Sequence, residues 1–322
     1  MKTSSFLCLV LLVPSLARTQ SALPADSPPT VIQRAYSLRM HGNPKAAIAI
    51  LEPLMQSADA TGTEKGVASN VLGSSYLDIE SFQKSIQCYE QSIKILSPIA
   101  SARNQLASAI DNLGAAEARL DQFDDSERLR KRAERIYLEI NDHAGLTRVY
   151  TNLANVALYR HDRHTAQRYV DQARKQATQT TTLEERDFAA LLTTESNLAF
   201  LNHDSQQALG KARDAIQDWS RLYGPQSHFV GEVLLISAMA RRDAGDFDGA
   251  LSDVRQAQSI LTTDPGKDSM TYLKSLLIQA EILHKEGHKQ EAEAIQHGAD
   301  ALIREKQTQA CAYCSVSVQA FR

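Results

Sequence analysis

Seven short polar segments recur along this 322-residue chain, and their spacing constrains the fold more than any other feature. They are Gly42-Asn-Pro-Lys-Ala-Ala47, Glu80-Ser-Phe-Gln-Lys-Ser85, Asp121-Gln-Phe-Asp-Asp-Ser126, His161-Asp-Arg-His-Thr-Ala166, His203-Asp-Ser-Gln-Gln-Ala208, Gly245-Asp-Phe-Asp-Gly-Ala250 and Gly287-His-Lys-Gln-Glu-Ala292. Each closes on Ala or Ser, and the closing residues lie 38, 41, 40, 42, 42 and 42 positions apart. Twelve residues before each stands another small residue: Ala35, Gly73, Gly114, Ala154, Ser196, Ala238 and Ala280. Seven residues after each come Leu54, Ser92, Ala133, Ala173, Ala215, Ala257 and Ala299, small in six of the seven. A fixed period of about 40 is the mark of a repeat architecture.

Each unit reads as a helix, a tight turn and an antiparallel helix. Small residues one or two turns apart share a face and let two helices approach closely. Asn43-Pro44 supplies a helix N-cap followed by proline at the first helical position. Gly245 and Gly287 suit the end of the preceding helix. Apolar residues such as Leu153, Val156 and Val170 fill the intervening positions. One helix pair cannot bury its apolar stripe alone, so the units must stack. The expected fold is all-α, an α-solenoid of about seven antiparallel helix pairs. Composition agrees: 43 Ala but only 14 Gly, 9 Pro and 6% aromatic residues leave too few turn-makers and strand-formers for a sandwich or barrel.

With its Asn-Leu-Gly and Asn-Leu-Ala stretches (Asn112-Leu113-Gly114 and Asn152-Leu153-Ala154), the chain resembles the tetratricopeptide repeat family over residues 30–305. The period near 42, with Leu222-Tyr-Gly-Pro-Gln-Ser-His228 opening a unit, resembles the extended repeats of kinesin-light-chain-type proteins. The resemblance implies a right-handed superhelix and a peptide bound along the concave face made by the first helices. In that family Asn side chains there hydrogen-bond the ligand backbone, a task suited to an amide that both donates and accepts. The residues carried over to such a groove are Asn70, Asn112, Arg148, Asn152, Asn155, Asn197, Arg242 and Lys274. The alternative for each Asn is a solvated position or a bond to the neighbouring helix. Two departures are expected: an irregular unit at Ser196, whose Asn197-Leu198-Ala199 sits three residues late, and a second helix interrupted and kinked at Pro53.

The chain divides as a secretory signal peptide over 1–17, a Pro-rich lead-in over 18–29, a repeat domain over 30–306 and a tail over 307–322. Lys2 and the apolar run Phe6 to Leu16 have the make-up of a signal peptide and are too short for a membrane span. The expected mature protein is exported and not integral to a membrane, in the periplasm or cell envelope of a bacterium or secreted. Cleavage removes Cys8 and leaves Cys88, Cys311 and Cys314. Export permits a disulfide, for which Cys311 and Cys314 are the candidates. A four-thiolate zinc site would need a second cysteine pair.

Nothing in the chain carries catalysis. It contains no phosphate loop, dinucleotide fingerprint, nucleophile elbow or zincin motif. His284 and His288, and likewise His161 and His164, read as exposed turn residues rather than metal ligands. Phe123 and Phe247 read as packing residues, and Trp219 with Tyr223 as core between repeats. Net charge is −3 and pI about 6.3, unlike the basic balance of nucleic-acid binders. Arg128 to Arg132 reads as a solvated helix face. These features describe an exported, non-catalytic scaffold that takes a protein or peptide in a helical groove, with no cofactor or metal. The alternative is an accessory or sensor subunit of an envelope complex whose catalytic part is on another chain.

Overall fold

The computed structural model describes residues 27–267 and 269–309. Fourteen α-helices pair in chain order: α1 (Pro28–Met40) with α2 (Pro44–Gln56), α3 (Gly62–Asp78) with α4 (Phe82–Leu96), and α5 (Arg103–Arg119) with α6 (Phe123–Glu139). Then follow α7 (His143–Tyr159) with α8 (Arg163–Ala177), α9 (Glu185–Leu201) with α10 (Ser205–Tyr223), α11 (His228–Asp243) with α12 (Phe247–Leu261), and α13 (Met270–Glu286) with α14 (Lys289–Gln309). Among the described residues there is no strand. The array is the expected all-α solenoid of seven pairs. The signal peptide 1–17, lead-in residues 18–26, Cys311 and Cys314 lie outside the described residues.

Every pair turns the same corner. The first residue of each recurrent segment, from Gly42 and Glu80 through to Gly287, holds a positive φ between 56° and 105°. The residue after it donates its N–H to the carbonyl five positions back, as Ser81 does to Tyr76 and Asp246 to Arg241, at 2.8 and 2.9 Å. This left-handed residue plus a long return bond is the Schellman ending of a helix. That same second residue begins the next helix. Asn43, Asp162, Asp204 and Asp246 accept an N–H of the following helix on their side chains, which satisfies a donor that has no partner within the helix.

The small residues at the two flanking positions are the points of closest approach. Ala35, Ala47, Ala154, Ala166, Ala208 and Ala250 are wholly buried. Where serine replaces alanine, its hydroxyl bridges the pair: Ser85 donates to the Gly73 carbonyl at 2.8 Å and Ser126 to Gly114 at 2.7 Å. A Cβ on Gly73 would lie 2.7 Å from the Tyr89 ring. The expected irregularity at Ser196 is corrected, because Ser196 donates to the Ala208 carbonyl at 2.8 Å and its pair closes like the others. Only the direction of the bond is reversed. Close approach lets Leu, Ile and Tyr side chains pack across the seam, each worth roughly 1.5–3 kcal/mol when fully buried.

Three further expectations are corrected. Pro28 and Pro29 belong to α1 rather than to the lead-in, since proline at the first helical positions gives up an N–H that has no helical partner anyway. Helix α2 continues through Pro53 to Gln56, so the proline does not interrupt it. At the other end α14 extends three residues past Lys306 to Gln309, into the stretch assigned to the tail.

First helices contact first helices at each step of the array, whereas second helices have no comparable mutual contact. The layer whose members crowd together is the inner, concave one, so α1, α3, α5, α7, α9, α11 and α13 line the inside of the curve. The array also winds back on itself. The Arg186 guanidinium bonds the Tyr36 hydroxyl and stands 5.4 Å from the centre of its ring. His41 meets Tyr223 edge-on at 6.0 Å. Further along, the Glu80 carboxylate accepts the Met270 N–H at 2.9 Å and pairs with Lys306.

Candidate functional site

The inner face carries a chain of polar contacts that step from repeat to repeat. The Asn112 amide donates to Asn70 Oδ1 at 2.9 Å, and the Asn152 amide donates to Asp111 Oδ2 at 2.9 Å. Arg148 lies 3.9 Å from the same Asp111, donates to the Tyr137 hydroxyl at 2.8 Å and meets Asp187 at 3.3 Å. Thr194 donates to Asn155 Oδ1 at 3.1 Å. Except for Tyr137, which lies on the second helix α6, each partner stands about one repeat away, so these side chains tie neighbouring first helices together.

The asparagines carried over from the resemblance therefore divide. Asn70, Asn112, Asn152 and Asn155 each spend one polar atom on an adjacent repeat, while Asn197 has no partner among the described residues. Arg242 pairs with Asp243 at 2.9 Å and with Glu281 one repeat on. Lys274 stands on the inner side of α13, where burial lowers its pKa against the opposing pull of Glu232 and Glu281. The structure thus gathers Asn70 with Asn112, gathers Arg148 and Asn152 about Asp111, and pairs Arg242 with Glu281.

Asp111 is the hub that sequence reasoning missed. It is 1% exposed and pairs with Arg130, itself 4% exposed, at 3.3 Å. The basic run Arg128 to Arg132 is therefore not a uniformly solvated face, a correction that follows from this pairing. A buried guanidinium needs a carboxylate partner, and burial still depresses the Arg130 pKa despite the opposing effect of Asp111. One signal was available. In the other units the position three before the small residue holds Ile32, Asn70, Thr151, Thr193, Leu235 or Leu277, so a charge there is unusual.

Beside Asn70 the inner layer opens into an apolar groove of about 380 Å³ between α1 and α3. Pro29, Ile32 and Tyr36 form one wall, and Thr63, Val67 and Val71 the other. Val67 is three residues from Asn70 and so its neighbour on one helix face. Farther along, Tyr159 at the end of α7 stays 43% exposed while burial, partly offset by Arg119, raises its hydroxyl pKa. Trp219 stacks on Phe229 at 4.3 Å and bridges two repeats as expected. Phe247 packs against the core of the last repeats and Phe123 against Tyr159. His284, His288, His161 and His164 are exposed.

No family model and no curated protein matches the chain. Its backbone does match solved structures. A Rap protein complexed with competence and sporulation factor superposes with a TM-score of 0.61 at 14% identity, over 86% of this chain and 77% of that one. Aspartyl phosphate phosphatase F from Bacillus subtilis gives 0.59 at 12% identity, over 91% and 72%. BtubC (BKLC) from P. vanneervenii gives 0.53 at 20% identity, over 73% and 92%. The fold is that of the tetratricopeptide-repeat solenoids. At these identities the likeness speaks for the fold, and the site rests on its own residues.

Proposed function

We propose that the chain is a non-catalytic scaffold that takes a protein or peptide segment along its inner face. The observation that carries this reading is the apolar groove of Ile32, Tyr36, Val67 and Val71 set beside the amides of Asn70 and Asn112. Such a surface offers an anchor pocket for an apolar side chain next to groups that both donate and accept hydrogen bonds, the combination that peptide grooves use. The Rap structure of similar fold supports it, since that protein was solved with competence and sporulation factor bound. Asn70 and Asn112 keep capacity for a ligand, because each amide has donors or lone pairs beyond the one bond it makes.

Export is part of the proposal. Lys2 and the apolar run Phe6 to Leu16 support a signal peptide, and no helix among the described residues is long and apolar enough to cross a membrane. The partner would then be met in the periplasm or cell envelope of a bacterium.

The test is affinity capture from an envelope extract on the purified chain and on a Val67→Asp variant. A partner retained by the wild type and lost on the variant supports the groove. A partner held equally by both places binding elsewhere and overturns the assignment.

A further inference from the structure

Glu80 stands in the corner between α3 and α4 with φ at 56°. The equivalent corner residue is glycine in three units, Asp121 in one and histidine in two. Asp, Asn and His enter the left-handed region several-fold more readily than other residues bearing a Cβ. Glutamate has no such local excuse, and its Cβ makes the left-handed region costly. An outlier of this kind points from observed strain to a role for its side chain.

That side chain reaches across the molecule. One oxygen accepts the backbone N–H of Met270, the first residue of α13, and the other pairs with Lys306 near the end of α14. Arg119, from the end of α5, lies 3.9 Å away. A carboxylate at a helix N-terminus also complements the positive end of the helix dipole. The carboxylate is well sheltered, with 14% of its side-chain surface exposed, so solvent screens these interactions less than on an open surface. Glu80 thus joins the second helix pair to the seventh, 190 and 226 residues away in sequence. The other long-range contacts, Arg186 with Tyr36 and His41 with Tyr223, join the first pair to the fifth. Between these two clasps the C-terminal ends of α5 and α7 come near the first turns of α11 and α13. There Arg119 and Tyr159 share an electrostatic neighbourhood with Glu232, and Arg119 and Glu232 do so with Lys274.

We propose that Glu80 is the latch of a wound solenoid. Its carboxylate holds the start of α13 and the end of α14 against the α3–α4 corner, and its release unwinds the array and opens the inner face to a partner. The last clause rests on the inner-face reading of function; the latch itself does not.

Glu80→Gly is the informative variant, because it removes the carboxylate and relieves the left-handed strain together. The full chain carrying it should melt no more than a few degrees below the wild type. It should nevertheless raise the radius of gyration from small-angle scattering by about a tenth or more, away from the compact limit. The His41 ring resonances, shifted by Tyr223 in the wound form, should move towards random-coil values although His41 is 39 residues from the substitution. Lys306→Ala, which keeps the strain and one hydrogen bond, should move both readouts in the same direction by less. Unchanged scattering and an unmoved His41 signal in Glu80→Gly would overturn the latch, since a purely local role for Glu80 leaves both alone. Opening without any change in partner capture would leave the latch standing and remove the inner face as the binding surface.

Discussion

Asp111 and Arg130 form a buried ion pair 3.3 Å apart, the most deeply buried one among the described residues. The two residues are not equivalent. Asp111 accepts from Asn152 as well as Arg130 and has Arg148 3.9 Å away, so it serves two donors and a nearby cation, while Arg130 has only Asp111 and the Ser126 hydroxyl. Removing one partner of a buried pair leaves an uncompensated charge, at a cost of about 3–5 kcal/mol. Asp111→Ala should therefore lower the free energy of unfolding by about that amount, and the chemical denaturation midpoint with it. Arg130→Met should cost less, because Asp111 retains Arg148 and Asn152. The double variant should fall short of the sum of the two. Denaturant titration followed by circular dichroism reads the order, and a larger loss for Arg130→Met would contradict the hub.

The corner residues His161 and His203 hold φ at 58° and 61°. Substituting glycine removes a left-handed penalty of about 1–2 kcal/mol and adds back roughly 0.5–1 kcal/mol of chain entropy. His161→Gly and His203→Gly should each raise stability slightly, by up to about 1 kcal/mol. The converse, Gly287→Ala at φ 105°, should lower it by at least as much. Differential scanning calorimetry on the three variants checks both signs.

Two helical glycines give opposite expectations. A Cβ on Gly145 would sit 2.4 Å from the Tyr137 ring, whereas one on Gly210 meets nothing within 4 Å. Overpacking a tight seam costs about 1–3 kcal/mol. Replacing an unhindered helical glycine by alanine gains close to 1 kcal/mol. Gly145→Ala should melt lower than the wild type and Gly210→Ala higher, and thermal melts of the pair decide it.

Cys88 is half-buried, and burial, helped by Glu52, pushes its thiol up to about 11. At pH 8 the thiolate, which is the reactive form, should be about a hundredfold scarcer than in a thiol at the ordinary value of 9.0. Peptide-mapped alkylation with iodoacetamide should show that deficit in the native chain and lose it in urea. The folded state favours the protonated thiol, so this contribution to stability is complete below pH 9. It declines as pH rises from 9 towards 11.

Fusing residues 1–25 to a reporter enzyme that is active only outside the cytoplasm should give activity. Leu12→Arg, which breaks the apolar run, should abolish it. Activity that survives the substitution would remove the export proposal.

The repeat was readable because its cause is local. A left-handed corner, a cap and small residues at the seam each leave a mark at a fixed offset, and all three marks fall where the helices turn and touch. Arg130 was misread because helix periodicity places a residue on a face without saying what lies opposite. Asp111, 19 positions earlier, supplies that information only once α5 and α6 are packed. The same limit applies to Asn112 and Asn152, whose partners are set by the rise from one repeat to the next. The Glu80 contacts with Met270 and Lys306 depend on how far the array winds, a sum of small rotations over five repeats.

The corners within the pairs are uniform, two or three residues closed by one bond pattern, whereas the connections between pairs run from residues 140–142 up to residues 262–269. Mechanically the molecule is a row of stiff hairpins on unequal hinges. Bending should concentrate at the long connection of residues 178–184 and at the joint that follows the π-helical turn Thr262–Gly266. The first precedes, and the second lies within, the stretch from Arg186 to Lys306 that the two clasps draw back towards the N-terminal repeats. A load applied across the array would therefore be felt first at those two joints, while each hairpin moves as a rigid body.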